Sequence, residues 1–169
     1  VNTLAGGDNA VLLVELSGAN VGNGGNGLTL GSNATGSTVR GLVINRFPGN
    51  GILIQSNDNT VAGNFIGTNA SGSGALGNSL DGIGLQASSN TIGGATSAAR
   101  NVISGNGRNG ISLGGGTAAV QDNLVQTNFI GTDGAGIHSL GNGGDGVFAT
   151  SATNNLIGGT ITRAGDPPA

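Results

Sequence analysis

The sequence contains no Cys, Met, Trp, Tyr or Lys, and its 169 residues include a single His and three Pro. The absence of Cys excludes disulfides, thiolate zinc sites and cysteine nucleophiles. The lone His138 leaves no multi-histidine metal site. We therefore predict that the chain uses no cofactor.

Charged and aromatic residues are also scarce. Charged residues make up 8% of the chain, the net charge is −3, and the five Arg form no basic run, which excludes the electrostatic footprint of nucleic-acid binding. The four Phe are isolated, so no stacking platform for single strands exists. No apolar stretch approaches the roughly 20 residues needed to span a bilayer, and we predict no membrane insertion.

Gly and Asn are abundant instead: 37 Gly and 22 Asn together make 59 residues. Such a composition raises the question of disorder, but Leu, Ile, Val and Phe supply 42 residues, or 25%, above the roughly 20% below which chains stay unfolded. Glycine does not recur every third residue, which excludes collagen. Frequent Gly leaves few windows for a helix. The start at Val1, without Met or a leader, suggests a processed protein or an excised fragment.

A repeated tripeptide of Asn or Asp, Gly and an aliphatic residue organises the chain. It begins at Asn26, Asn50, Asp81, Asn109 and Asp145, at intervals of 24, 31, 28 and 36 residues. Each copy is followed by further short apolar segments, so one core unit with insertions of variable length is indicated.

A longer repeat resolves the one ambiguous segment. Residues 57–85 align without gaps on residues 121–149, with 14 identities in 29 positions. Thr117–Ile130 has a helix-like spacing of apolar residues, but this alignment pairs it with the turn-rich segment Asn57–Ile66. We therefore predict strands there.

These patterns predict an all-β fold, a right-handed parallel β-helix (β-solenoid) of about five to six turns with three short strands per turn. The whole chain, 1–169, forms a single domain: residues 1–25 hold the first strand and opening turn, 26–166 five repeat turns, and 167–169 a tail. Ile52 and Ile54 should stack on their counterparts in neighbouring turns, and Ile44, Ile66, Ile103 and Ile130 should form a second column. Val11–Leu16 is a candidate extra strand at one end, and Pro167-Pro168 blunts the other.

Three asparagines occupy one position in successive turns: Asn64, Asn101 and Asn128. Each lies two residues before a core Ile, and the period-two alternation of a strand points it inward at a corner. We predict a stacked amide ladder, which the first turn lacks because Leu42 stands at that position. The alternative is a polar binding track.

The succession of motifs also resembles a known family. Phe65-Ile66-Gly67-Thr68, Leu76-Gly77-Asn78, Asp81-Gly82-Ile83, Asn90-Thr91-Ile92-Gly93-Gly94 and Ala99–Asn106 resemble the right-handed parallel β-helix repeats of large secreted or cell-surface bacterial proteins, which belong by fold with the pectate-lyase-like superfamily. The likeness covers residues 10–166, but Ala164-Gly165-Asp166 is followed by Pro167-Pro168 instead of a strand. The resemblance implies the fold and an extracellular or cell-surface location.

The acidic residues give little sign of catalysis. Polysaccharide lyases and hydrolases need a carboxylate cluster, usually with a base. Here no two acids are adjacent, and the Asn-Thr-Asp, Asp-Asp, Gly-His-Gly and Asp-Pro-His signatures of related enzymes are absent. Asp81 and Asp145 alternate with Asn before a Gly, which indicates a turn preference, and Asp58 and Asp122 are equivalent turn residues. The acids are Asp8, Glu15, Asp58, Asp81, Asp122, Asp133, Asp145 and Asp166.

The remaining candidate binding residues are predicted to have ordinary surface roles. The inserts Asn69–Leu80 and Asp133–Gly144 are long enough to fold over a calcium ion, but each has at most two carboxylates. His138 is expected to be a solvated loop residue, and Arg40 and Arg46 to face solvent.

We therefore predict a non-catalytic structural module of a secreted or surface protein: a stalk, an adhesin scaffold or a self-associating fibre subunit. Its partners would be further copies of itself, end to end or side by side, or extracellular carbohydrate. The alternative is a carbohydrate-binding or polysaccharide-degrading, lyase-like domain that uses an outward face and the two inserts.

Overall fold

A computed structural model describes residues 1–116 and 119–159. The predicted features at Ala164–Asp166 and Pro167-Pro168, and the first two residues of Thr117–Ile130, lie outside the described residues. The described part contains short β-strands and one turn of 3-10 helix, Ser97–Ala99. The strands are β1 (Val14–Ser17), β2 (Leu28–Leu30), β3 (Thr38–Arg40), β4 (Leu42–Asn45), β5 (Ile52–Ile54), β6 (Thr60–Ala62), β7 (Phe65–Ile66), β8 (Ile83–Leu85), β9 (Thr91–Gly93), β10 (Val102–Ile103), β11 (Ile111–Leu113), β12 (Val120–Gln121), β13 (Leu124–Gln126), β14 (Phe129–Ile130), β15 (Val147–Ala149), β16 (Ala152–Thr153) and β17 (Leu156–Ile157).

The strands form three parallel sheets that run along the molecule. Sheet A has the order β1-β4-β7-β10-β14, sheet B β15-β11-β8-β5-β2, and sheet C β17-β13-β9-β6-β3. Neighbours in each sheet come from successive turns of the chain, which we call coils and number from the tripeptides at 26, 50, 81, 109 and 145. The all-β parallel β-helix is therefore confirmed, with three main strands per coil.

The register of the sheets stacks like residues on like. In sheet B, Ile52 pairs with Ile83 and Leu28, and Ile83 with Ile111; in sheet A, Ile66 pairs with Ile44 and Ile103. Both predicted columns are thus present. These inward aliphatic side chains form one continuous core, and Ile52, Ile83 and Ile111 are completely buried. Full burial of each such side chain stabilises the fold by about 1.5–3 kcal/mol.

One corner of each coil uses a left-handed backbone. Asp58, Ser89, Asp122 and Asn154 hold equivalent positions just before a strand of sheet C, with φ of 62°, 59°, 56° and 55°. Small polar residues tolerate this conformation better than others because their side chains bond locally. The turn role predicted for Asp58 and Asp122 is therefore confirmed.

Three details differ from the sequence-based expectations. The first strand is Val14–Ser17 and not Val11–Leu16, because it pairs residue for residue with β4. The insert before Asn101 contains the short helix Ser97–Ala99. A small additional sheet pairs β12 with β16.

Candidate functional site: amide ladders and an outer groove

The structure brings the three asparagines of the predicted ladder together. Asn64 donates from its backbone N and its Nδ2 to Oδ1 of Asn101, at 3.0 and 3.1 Å. Asn101 donates in the same way to Oδ1 of Asn128, at 3.2 and 2.8 Å. Each Nδ2 also donates to a carbonyl at the corner, that of Val39, Val61 or Ile92. At the first coil the column ends on Leu42, whose N–H donates to Oδ1 of Asn64 at 3.0 Å.

Two further columns repeat this arrangement at other corners. The second ladder precedes sheet C, and its side-chain amides bond from coil to coil at 2.9–3.3 Å; it consists of Asn59, Asn90, Asn123 and Asn155. The third ladder lies at the corner between sheets A and B, with amide contacts of 2.9 and 3.0 Å; it consists of Asn78, Asn106 and Asn142. Sequence reasoning did not identify them, although Asn-Thr-Val, Asn-Thr-Ile and Leu-Gly-Asn motifs marked their positions.

A fourth ladder opens sheet B and includes carboxylates. Asn50 donates to Oδ1 of Asn26, Asn109 donates from N and Nδ2 to Oδ1 of Asp81 at 3.0 and 2.9 Å, and Asp145 donates its N–H to Oδ1 of Asn109. The alternation of Asn and Asp at this position is therefore more than a turn preference. The direction is also reversed, because here the later coil donates to the earlier one.

The carboxylates of Asp8, Glu15 and Asp81 each have a different structural role. Asp81 is almost buried in the fourth ladder, whereas Glu15 accepts a 2.8 Å bond from Nδ2 of the buried Asn45. Asp8 accepts the N–H of Ala10, and burial raises the pKa of the Asp8 carboxyl. Within residues 1–116 and 119–159, no group of three or more His, Asp or Glu side chains is placed to hold a metal ion.

The His138 side chain forms a hydrogen bond within its insert. Its Nδ1 lies 2.6 Å from Oδ2 of Asp133, while 75% of the His138 side chain is exposed. Oδ1 of Asp133 accepts the N–H groups of Ile137 and His138. The His138 bond, with smaller help from these backbone bonds, lowers the pKa of Asp133 to about 2. In the other insert Asn69 accepts the equivalent N–H groups of Ser73 and Gly74, so Asp133 primarily shapes the loop.

The tips of the two inserts lie over the outer face of sheet A. A Cβ placed on Gly72 would stand 3.2 Å from the Phe65 ring, and one on Gly136 would stand 2.7 Å from the Phe129 ring. The inserts also bond each other, since Gly134 donates its N–H to the Gly72 carbonyl at 2.9 Å. They therefore cover aromatic side chains and do not frame an outward-facing binding site at their tips.

Arg100 fastens the N-terminal segment to this face. Its buried guanidinium donates to the carbonyls of Gly7 and Ala5 at 2.6 and 2.8 Å and lies 4.2 Å from the centre of the Phe129 ring. Its Nε donates to the Thr127 carbonyl at 3.2 Å. The sequence motif around Ala99-Arg100-Asn101 contained this residue, but nothing in it indicated the segment that Arg100 binds.

A groove of about 280 Å³ runs over the outer face of sheet B. Its floor lies at Gly84, between the outward-facing residues Leu53 and Ser112 of the neighbouring coils. A Cβ at Gly84 would stand 3.2 Å from Cδ1 of Leu53, so the groove depends on this Gly. Polar and aromatic side chains line its walls: Asn50, Asp81, Gln86, Arg108 and Phe148.

A second depression of about 250 Å³ continues the groove towards coil 5 and shares Arg108 and Phe148 with it. Arg108 is exposed, and 42% of Phe148 is accessible. An aromatic face beside a guanidinium, a carboxylate and amide groups can contact a polar ligand by stacking and by hydrogen bonds. Arg40 and Arg46 are exposed as predicted and lie outside the groove.

Comparison with known proteins found no match to any protein-family model, curated protein or solved structure. Among the described residues no helix has the length and apolar character required to cross a membrane.

Proposed function

We propose that the chain is a non-catalytic structural module, a β-solenoid rod of a secreted or surface protein that serves as a stalk, an adhesin scaffold or a self-associating fibre subunit. The main support is the continuity of the four amide ladders from coil to coil. Each inward amide bonds the coil beside it, so every coil depends on its neighbours, as in other one-dimensional repeat proteins. Such a rod resists local opening because a coil cannot leave without breaking several columns at once.

The placement of the carboxylates supports the absence of catalysis. General acid–base cleavage of a glycosidic bond needs two acids that face one substrate. Asp81 holds Asn109 in the fourth ladder, Asp133 holds its own loop with His138, and Asp58 and Asp122 occupy left-handed corners.

Incubation with a panel of acidic and neutral polysaccharides tests this assignment. Ultraviolet absorbance would detect unsaturated products, and a reducing-end assay would detect hydrolysis. We expect no turnover. Turnover by the wild-type chain that disappears in Asp58→Ala, Asp81→Ala or Asp122→Ala would contradict the structural role.

Self-association through the exposed sheet edges is the specific form that a fibre subunit would require. Leu13 immediately precedes edge strand β1 and Val14 is its first residue; they are 88% and 53% exposed. Within the described residues β17 is also an edge strand, and its Leu156 and Ile157 are 40% and 49% exposed. Unpaired strand edges with apolar side chains promote pairing with another chain.

Sedimentation and electron microscopy over a range of concentrations test the fibre form. Leu156→Lys should reduce assembly, because a charge at the edge opposes strand pairing. Leu80→Lys is the matched control, since Leu80 is 37% exposed but has a coil on each side, with backbone bonds to Gly49 and Arg108. A strict monomer at high concentration would exclude the fibre subunit and leave the stalk and scaffold.

A second candidate function is carbohydrate binding in the groove over sheet B, which Phe148, Arg108, Asp81 and Asn50 favour. Calorimetric titration with neutral and acidic oligosaccharides tests it. Phe148→Ala and Arg108→Ala should each weaken binding by about tenfold, the effect of losing one stacking or charge-assisted contact. Arg46→Ala should leave binding unchanged, because Arg46 is exposed but lies outside the groove. The absence of any oligosaccharide binding would exclude this function.

A further inference from the structure

The chain contains six Asn-Gly dipeptides, which begin at Asn23, Asn26, Asn50, Asn106, Asn109 and Asn142. Asn is chemically labile, and Gly after it removes the steric barrier to attack by the next backbone nitrogen on the Asn side chain. The reaction requires that this nitrogen be free to approach the side-chain carbonyl carbon. The structure separates the six dipeptides on that criterion.

Five of the glycine N–H groups donate to a carbonyl of an adjacent coil. The bonds join Gly27 to Asn50, Gly51 to Asp81, Gly107 to Asn78, Gly110 to Asp145 and Gly143 to Asn106, at 2.8–3.0 Å. Each of these nitrogens is therefore held in a bond to a neighbouring coil and is not free to approach the side chain of its own Asn.

The five preceding asparagines are restrained as well, because all of them belong to the third or fourth ladder. Oδ1 of Asn109, for example, accepts the N–H of Asp145, and its Nδ2 donates to Asp81. Attack would therefore require both the ladder contact and the coil-to-coil backbone bond to open. Such openings are rare within a cooperatively packed region.

Asn23-Gly24 has neither restraint. It lies in the connection between β1 and β2, and Asn23 is exposed. Within residues 1–116 and 119–159, the Asn23 side chain makes no hydrogen bond and the Gly24 N–H has no acceptor. A Cβ built on Gly24 would meet no atom within 4 Å, so the space around the dipeptide is open.

We infer that Asn23 is a site of spontaneous deamidation and isomerisation. Folding restricts this reaction to Asn23, whereas all six Asn-Gly dipeptides could undergo it in an unfolded chain. The Gly24 nitrogen attacks Cγ of Asn23, a new N–Cγ bond forms, the bond from Cγ to the side-chain nitrogen breaks, and ammonia leaves. Water then opens the cyclic imide at either carbonyl and yields aspartate or isoaspartate. The net change is the gain of water and the loss of ammonia.

The product changes the corner that leads into β2. It adds one negative charge, and the isoaspartate form lengthens the main chain by one carbon three residues before Asn26, the first member of the fourth ladder. The modified Asn23 would also be a substrate for enzymes that methylate isoaspartyl carboxylates, which provides a direct assay.

Incubation of the folded full chain in mildly alkaline buffer, followed by digestion and fragment-ion mass spectrometry, tests the inference. We expect Asn23 to convert at least about tenfold faster than any of the other five sites, because they react only through rare openings. In denaturant all six sites should convert at similar rates. Enzymatic methylation should label the aged folded chain at residue 23.

Two variants complete the test. Asn23→Ser should abolish the early product, and its exposed position predicts normal folding. Asn101→Ala loosens the first ladder but changes no Asn-Gly dipeptide, so Asn23 should remain the fastest site. Conversion of Asn50 or Asn109 in the folded chain as fast as Asn23, or an Asn23 that stays intact, would overturn the inference.

Discussion

The replacement Asn101→Ala tests the contribution of the ladders to stability most directly. The Asn101 side chain makes four hydrogen bonds: it accepts from N and Nδ2 of Asn64 and donates to the Val61 carbonyl and to Oδ1 of Asn128, at 2.8–3.1 Å. Asn101 and Asn64 are both completely buried. The substitution therefore removes all four bonds from a region without solvent.

The structure shows which atoms lose their last partner. Nδ2 of Asn64 keeps the carbonyls of Val39 and Ala62, and Oδ1 of Asn128 keeps the backbone N–H of residue 101. The backbone N–H of Asn64 keeps no acceptor among the described residues. A buried unsatisfied N–H costs about 1–3 kcal/mol, and the three other lost bonds cost about 0.5–1 kcal/mol each, so we expect a total of about 2.5–6 kcal/mol.

Denaturant and thermal unfolding, followed by circular dichroism, would measure this loss. At about 2–4 °C per kcal/mol for a chain of this size, Tm should fall by roughly 5–24 °C. Asn33→Ala is the control, because Asn33 is exposed and its side chain makes no hydrogen bond among the described residues; its effect should stay within about 0.5 kcal/mol. Hydrogen exchange at the Asn64 amide should also accelerate in the Asn101→Ala chain.

An isosteric variant separates hydrogen bonding from packing. Asn101→Asp keeps the shape and the acceptor for Asn64 but presents a carboxylate oxygen to the Val61 carbonyl and to Oδ1 of Asn128. It should destabilise the fold at neutral pH and partly recover on acidification, when the carboxyl regains a donor. If Asn101→Ala and Asn101→Asp both cost no more than Asn33→Ala, the ladder does not hold the coils together and the reasoning fails.

Three smaller predictions follow from single positions. Thr127 is a β-branched residue in a left-handed conformation, with φ 59°. Thr127→Gly should raise Tm by about 2–4 °C, because relief of this backbone strain outweighs the greater conformational entropy of the unfolded chain by about 1 kcal/mol. A lower Tm would contradict this prediction. Gly82→Ala should lower the free energy of unfolding, measured by denaturant titration, by about 1–3 kcal/mol, because its Cβ would stand 2.7 Å from a backbone oxygen. Gly146→Ala, at the same position of coil 5, should lower it less, because the nearest atom to its Cβ would be 3.5 Å away. The lowered pKa of Asp133 means that its pair with His138 stabilises the fold above the ordinary value of 3.8, and that this contribution is lost as pH falls towards about 2. The wild-type chain should lose more stability than Asp133→Asn across that window, and parallel acid melting curves would refute the assignment.

The repeat made most of the fold predictable. The tripeptides at 26, 50, 81, 109 and 145 set the coil length, and the aliphatic positions after them set the stacked columns, because each inward residue can bury its side chain only against the same residue of the next coil. The ladder position of Asn101 could be found for the same reason. It combines an inward direction with a polar side chain, which demands a partner.

Contacts between distant segments could not be read from the repeat. The contacts of Arg100 with Gly7 and Ala5 join residues more than ninety positions apart, and no periodicity relates them. The groove depends on the absence of a side chain at the outward-facing Gly84. In a sequence with 37 glycines, nothing distinguishes this Gly from the others. The second and third ladders were missed because Asn at a corner also suits a turn on its own.

The geometry of the ladders explains why, among the described residues, Asp occurs in only one of them. In the first three ladders each amide nitrogen donates to a corner carbonyl, and wherever the next coil supplies an Asn it donates to that side chain as well, as Nδ2 of Asn101 does. A carboxylate at such a position could not donate these bonds, and its oxygen would lie against the corner carbonyl and the side-chain oxygen of the next coil. In the fourth ladder Nδ2 of Asn109 donates only to the preceding coil, and the side-chain oxygen accepts from the following one. Asp81 can therefore replace Asn at the loss of a single donated bond, while its charge strengthens the two bonds that it accepts from Asn109. The same column turns Asp81 towards the groove over sheet B, so the ladder that tolerates a carboxylate is also the one that lines the candidate binding surface.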